Sequence, residues 1–289
     1  MAKIALLFLT MDNHNHPKIW NKFLKDKKYF NVYCHPKYPK NVTDPFLKKN
    51  IIPKLADTKW GYLVGAYYEL LKQAYKNKDN YKFIFLSNSC LPIKSAESVF
   101  NALVKTNESF IDTRNKMTKW DIENRFKKYE SYLNKFNITK YNYIKHSGWF
   151  VLNRQHTKVL LDNKELFMFF NKIEAGDENF LTILKANQMK LQEKIITCVH
   201  WDQTIYPKYL EEKNKLWKEF DSTSDPEKKK RLKAIINEKK RKVAIDKSHP
   251  KTYTTITPED IDGFKCDGCF FVRKVAKEAN INLIEKLIE

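Results

Sequence analysis

Two adjacent carboxylates in Gly176-Asp-Glu-Asn-Phe-Leu181 are the residues of this chain best suited to proton transfer. They follow Ser147-Gly-Trp-Phe-Val-Leu-Asn153, which reads as a strand entering a helix. The acidic pair then opens an amphipathic helix expected over 177–188, beside a strand end where an α/β enzyme keeps its catalytic base. On this reading one carboxylate caps the helix and the other faces a cleft. The competing reading is plain N-capping, because acidic side chains in a first turn complement the helix dipole. Near the C-terminus, Arg273-Lys274 form a second charged pair, at what reads locally as a strand end.

The elements that must position these groups follow from hydrophobic periodicity. Apolar runs bounded by turn residues predict strands near 3–10, 30–35, 82–88, 108–112, 148–153, 194–199 and 269–273. Apolar residues at i, i+3 and i+4 predict helices over 17–26, 61–76, 95–105, 120–136, 154–171, 177–188 and 275–288. The alternation implies an α/β layered sheet in a single domain spanning 1–289. From about 209 to 247 the sequence turns Lys- and Glu-rich and reads as an inserted helical hairpin. Pro226 marks its turn, and a thin apolar stripe includes Leu216, Trp217, Leu232, Ile235 and Ile236. This insertion is either a basic arm for a polyanion or partner, or a solvated excursion.

Composition excludes several classes. With 289 residues, 42% hydrophobic and 14% aromatic, the chain can bury a large core and is not disordered. The N-terminal run Ile4–Thr10 is too short to span a membrane, and no other window is longer, so no membrane span is expected. The formal net charge of +20 invites a nucleic-acid reading, but the lysines are spread over nearly every helix, as in chains from AT-rich genomes. No RNA-binding aromatic signature, zinc finger or helix-turn-helix accompanies the charge, so it fits solvation and attraction to an anionic ligand better. Five cysteines, an odd number, argue against a complete disulfide framework and make a reducing compartment the simpler reading. Cys266-Asp-Gly-Cys269 could be half a zinc site or a redox pair, yet no second ligand pair completes it.

An ordered series of short motifs then emerges: Ile4-Ala-Leu-Leu-Phe-Leu-Thr10, Trp20-Asn-Lys-Phe23, Tyr33-Cys-His-Pro36, Trp60-Gly61 and Phe85-Leu-Ser-Asn-Ser-Cys-Leu-Pro-Ile93. It continues with Gly148-Trp-Phe, Asp177-Glu178, Trp201-Asp202, His249-Pro250 with Thr252-Tyr253, and Cys269-Phe-Phe-Val-Arg-Lys274. In this order the chain resembles the core-2/I-branching family of glycosyltransferases, closest to its plant and microbial branch. The resemblance implies a GT-A-like Rossmann-type mixed sheet flanked by helices, carrying an inverting transfer from a UDP-sugar to a glycan or glycoprotein hydroxyl. It also implies that no metal or other cofactor is needed, with Ser87-Asn-Ser-Cys90 standing where a metal-dependent relative would keep an acidic pair. Asp260-Ile-Asp262 follows Pro258-Glu259 and reads as a helix start.

By family position Glu178 would be the base, with Asp177 orienting the loop or bonding the sugar. Arg273 and Lys274 would stabilise the departing UDP, and His35, Pro36, Trp60 and Ser89 would contact the donor. Trp149, Trp201 and Tyr253 are the acceptor-side candidates, and UDP-GlcNAc is the donor expected from the family. A long segment separates Trp201-Asp202 from His249-Pro250, unlike the close spacing of the family pattern, so acceptor identity does not carry over. With no anchor in view, the expected setting is the cytoplasm, of a microbe or a large virus. The competing functions are a basic nucleic-acid-binding protein and a catalytically inactive, transferase-like scaffold.

Overall fold

The computed structural model describes all residues except 1, 115, 202–204, 248–249 and 267, and describes 205–206, 242–247 and 266 by backbone alone. Asp202 and His249, named above within motifs, lie outside the described residues. The chain divides into two compact units, one of residues 1–198 with 254–289 and the other of residues 199–253.

The first unit is built on a six-stranded sheet. Its strands are β1 (Lys3–Thr10), β2 (Phe30–Pro36), β3 (Asn80–Ser87), β5 (Phe110–Ile111), β6 (Val151–Asn153) and β7 (Gln192–Glu193), in the order β2-β1-β3-β6-β5-β7. β1 pairs in parallel with both β2 and β3, whereas β6 runs antiparallel to β3 and to β5. The sheet is therefore mixed, with a Rossmann-like parallel half, flanked by helices as expected.

Ile4 to Phe8 are wholly buried, as a parallel strand covered on both faces requires. Helix Val64–Tyr75 packs an almost continuous face of Val64, Tyr67, Tyr68, Leu70, Leu71 and Ala74 into a cluster that also contains Phe83, Phe85, Phe150 and Phe180. The three parallel strands end level with one another, Thr10 opposite Pro36 and Leu9 opposite both His35 and Ser87. Their C-terminal edge is where ligands sit in open α/β sheets.

Smaller sheets complete the fold. β4 (Leu91–Pro92) pairs antiparallel with β10 (Phe271–Arg273), in a sheet whose third strand is β8 (Thr197–Val199). β9 (Tyr253–Thr255) and β11 (Val275–Asn280) form a two-stranded ribbon. The helix expected over 275–288 is thus corrected to a strand and then a short helix, Asn282–Leu287. Val275 and Ala279 are buried while Lys277 and Glu278 are exposed, a spacing that fits both a helical and a ribbon pattern; pairing with β9 decided it.

The continuous helix expected over 120–136 is also corrected. It is an α-turn Lys119–Asp121, a π-helix Ile122–Phe126, a 3₁₀ turn Lys127–Tyr129 and a second α-turn Glu130–Asn134. Cys198 and Cys269 form a disulfide, which runs against the reducing-compartment reading and removes Cys269 from any pairing with Cys266. Cys34 and Cys90 are free and buried. Asp260 exchanges hydrogen bonds with Thr257 at the start of helix Pro258–Cys266, so it caps a helix as expected.

The second unit holds helices Ile205–Ser222 and Pro226–Lys247. Asp225 caps the second helix by accepting from the backbone N–H of Glu227 at 2.9 Å. Leu232 and Ile236 are buried between them, Ile235 is exposed, and Lys228–Glu219 and Lys239–Glu212 ion pairs cross the hairpin. Among the described residues, no helix is long and apolar enough to cross a membrane.

Candidate active site

The C-terminal edge of β1, β2 and β3 is closed by loops that bond to the C-terminal segment. Asn15 donates its backbone N–H to Asn88 O at 3.0 Å and its side-chain amide to Val275 O at 2.7 Å. Val275 N–H in turn donates to Ser89 O at 3.0 Å, which fixes Ser87-Asn-Ser-Cys90 against the stretch that carries Arg273 and Lys274. The strand-end loop contains hydroxyls and a thiol but no carboxylate. Ser87 Oγ lies 3.1 Å from Ser89 Oγ and 3.2 Å from Cys90 Sγ, so the loop is held by its own contacts.

Arg273 is largely withdrawn from water and Lys274 partly so. Burial works against the charge of Arg273, whose guanidinium lies over the Trp149 ring with its carbon 4.3 Å from the centroid. Its Nε is closed off from solvent with no hydrogen-bond partner. Burial lowers the ammonium pKa of Lys274 as well, and the Arg273 charge adds to this. Cations held out of water interact more strongly with an incoming anion than exposed ones do.

The acidic pair is not arranged as a helix cap. Gly176–Glu178 is a 3₁₀ turn, the helix that follows is only Thr182–Ala186, and neither has a side-chain cap bond. The turn is fixed by backbone demands: Ala175 is left-handed at φ 50°, and a Cβ on Gly176 would come within 2.0 Å of the Phe170 carbonyl oxygen. His146 holds it from beneath, donating its backbone N–H to Glu178 O at 2.7 Å and accepting at Nε2 from the Leu181 N–H at 3.3 Å. Its Nδ1 faces Ser147 O at 2.9 Å, and burial lowers its pKa to about 4, so the imidazole is a neutral strut.

The two carboxylates differ sharply. Asp177 is half-buried as a residue, but its Oδ1 is sealed from solvent and unpaired. Burial, with the Glu178 charge beside it, raises the Asp177 pKa to about 6, against the opposing pull of its own backbone N–H and Arg125. Glu178 is more open, its side chain 39% exposed. Arg125 Nη1 donates to its Oε2 at 3.2 Å and reaches Asp121 Oδ1 at 2.9 Å, while Lys145 Nζ sits 3.2 Å from Asp121 Oδ2 and 3.9 Å from Glu178 Oε2. Asp121 and Arg125 are buried, so Glu178 is oriented from one side by a partly desolvated charge network.

Tyr67 lies near both the acidic turn and Arg273. Its buried hydroxyl donates to Gly148 O at 2.9 Å, and Asp177 and Glu178, together with Arg273 and Cys90, act electrostatically on it. Glycine is required at 148, where a Cβ would meet the Tyr67 hydroxyl oxygen at 2.7 Å. Sequence reasoning missed Tyr67, Arg125, Lys145 and His146. Tyr67 lies on the buried face of an amphipathic helix and Arg125 in a helical-looking run, so neither carries a local signal.

The remaining expected residues fall in three places. Trp60 is 74% exposed and adjoins the acidic turn, since Gly61 O accepts from Ala175 N–H at 2.7 Å. His35 and Pro36 are buried at the sheet edge, and His35 Nε2 accepts from Ala56 N–H at 2.8 Å. That bond occupies His35 in shaping the loop after β2 and leaves Nε2 unavailable to a donor. Trp149 is partly buried, with the Arg273 guanidinium over its ring.

Trp201 and Tyr253 belong to the second unit. Trp201 is 43% exposed, whereas Tyr253 is buried. The Tyr253 hydroxyl lies 2.7 Å from His200 Nδ1, and the Lys251 ammonium lies over its ring. Among the described residues, no group of three or more His, Cys, Asp or Glu could hold a metal ion.

Comparison with known proteins places this site in context. The profile of the Core-2/I-Branching enzyme family matches residues 4–265, and the chain belongs to that family. Glycosyltransferase BC10 of Oryza sativa subsp. japonica is 23% identical over 180 residues, which is 59% of this chain and 43% of the rice protein. The chain thus matches less than half of that relative's length. Among solved structures, galactosyltransferase LgtC in complex with donor and acceptor sugar analogues superposes with a TM-score of 0.34 at 14% identity, over 79% of this chain and 83% of that one. An active-site mutant of LgtC gives 0.33 over the same shares.

Proposed function

We propose that the chain is an inverting, metal-independent glycosyltransferase that moves a sugar, GlcNAc as the best reading, from a UDP-sugar to a hydroxyl of a glycan or glycoprotein. The observation that carries this reading is an uncapped carboxylate pair, one member held by Arg125, in the same compact unit as Arg273, a buried cation whose strand is tied to the Ser87–Cys90 loop. Glu178, the more open carboxylate, takes the acceptor proton. The freed oxygen attacks the anomeric carbon on the face opposite the phosphate. One C–O bond forms as the other breaks, and UDP leaves with the bonding electrons.

Negative charge then grows on the β-phosphate, where Arg273 and Lys274 supply fixed positive charge in the electrostatic role that a bound ion fills elsewhere. Ser87-Asn-Ser-Cys90 offers no carboxylate to hold such an ion. Asp177, half-buried beside Glu178, orients the turn or bonds the sugar in this reading.

The test is release of UDP from UDP-GlcNAc, UDP-xylose, UDP-glucose and UDP-galactose in excess EDTA. Turnover of at least one donor under those conditions is expected. A strict need for manganese or magnesium would sink the metal-independent reading. UDP binding without any turnover would point to a scaffold, and salt-sensitive nucleic-acid binding with no response to UDP would point to the basic-protein reading.

A further inference from the structure

Trp120 is 49% exposed at the head of the segment that also carries Arg125. A single exposed aromatic is ordinary on a protein surface, so what singles out Trp120 is its contact with Arg125, which bonds the acidic turn. The turn is ordered by a capping box: Thr118 N–H donates to Asp121 Oδ2 at 2.9 Å, and Asp121 N–H donates back to Thr118 Oγ1 at 3.1 Å. The π-helix that follows, of a kind common at functional sites, sets Arg125 between the indole and the acidic turn. Its guanidinium carbon lies 5.4 Å from the Trp120 ring centroid, and its Nη1 lies 3.2 Å from Glu178 Oε2. A single buried arginine therefore spans the gap between an open aromatic ring and the carboxylate expected to take the acceptor proton.

We propose that the exposed indole of Trp120 is the platform on which a pyranose ring of the acceptor stacks while a hydroxyl of the same glycan reaches Glu178. The inference rests on the transferase reading above and adds the acceptor subsite to it. An aromatic face against the apolar C–H face of a pyranose gives affinity without dictating linkage, and the two short distances place ring and base within the span of a disaccharide. Other exposed aromatics fit less well. Trp60 adjoins the turn only through the backbone of Gly61, and Trp201 lies in the second unit.

The experiment is saturation-transfer NMR on the full chain with UDP present, using methyl β-galactoside, methyl β-glucoside and methyl α-mannoside as probes. Release of UDP into water from UDP-sugars is measured alongside, on wild type, Trp120→Ala and Trp120→Phe. Wild type should bind at least one pyranoside. Trp120→Ala should weaken that binding about tenfold, the worth of one aromatic contact, and Trp120→Phe should restore part of it. UDP release is read beside binding: a Trp120→Ala variant that loses UDP release in proportion to pyranoside binding would show the indole acting only as support for Arg125 and Glu178, and would overturn the platform. Equal pyranoside binding by wild type and Trp120→Ala, or no binding by wild type, would overturn the proposal. A wild type that releases no UDP from any donor defeats instead the function on which it rests.

Discussion

A negative charge at the position of Asp177 is costly, because burial and Glu178 both oppose it and the Arg125 counter-charge offsets them only in part. With its pKa raised to about 6 from an ordinary 3.8, the folded state binds more protons than the unfolded chain between those values. Stability from this group is therefore full below about pH 4 and is lost as pH rises through about 6. Asp177→Asn should remove that loss, making the variant more stable than its parent at pH 8 by on the order of 2 kcal/mol after allowance for partial exposure, with no advantage at pH 4. Thermal melts at the two pH values check it, and an equal difference at both would contradict it. A residue kept at such a cost is a functional candidate. The acidic pair was legible because adjacent carboxylates are a local pattern; Tyr67 and Arg125 were not, because a buried tyrosine in a helix and an arginine in a charged run acquire meaning only when the chain folds back on itself.

At the scale of elements, strands buried on both faces announced themselves, since β1 and β3 are nearly continuous apolar runs. Short elements did not. Val275–Asn280 became a strand only through its partner strand, and the run from Lys119 changed helix type three times where local periodicity suggested one helix. The charged segment holds two helices that meet near Pro226, with Leu232 and Ile236 buried and Ile235 exposed. Among the described residues, none from 199–253 belongs to the large core cluster. We expect deletion of 211–246, closed by a short Gly-Ser linker, to leave the sheet folded with little change in melting temperature, because loop-closure costs vary slowly with length. UDP release should persist in that variant. Loss of soluble protein would show that the hairpin packs as part of the structure.

At the scale of the whole molecule, the net charge of +20 is a poor guide to function, whereas the order of weak motifs along the chain was a good one. Some of these motifs lie at tight turns where the fold restricts residue choice, as the contacts at Gly148 and Gly176 illustrate. The Cys198–Cys269 bridge was not legible, because cysteine spacing along the chain does not report proximity in space. The central claim is that Glu178 is the base of a sugar transfer from UDP. The most direct measurement is kcat for transfer by Glu178→Gln beside its affinity for UDP. Transfer should fall by about 10²–10⁴-fold, the usual contribution of a general base, while UDP affinity holds within a few fold. Turnover close to that of wild type would contradict the account and pass the role to another group.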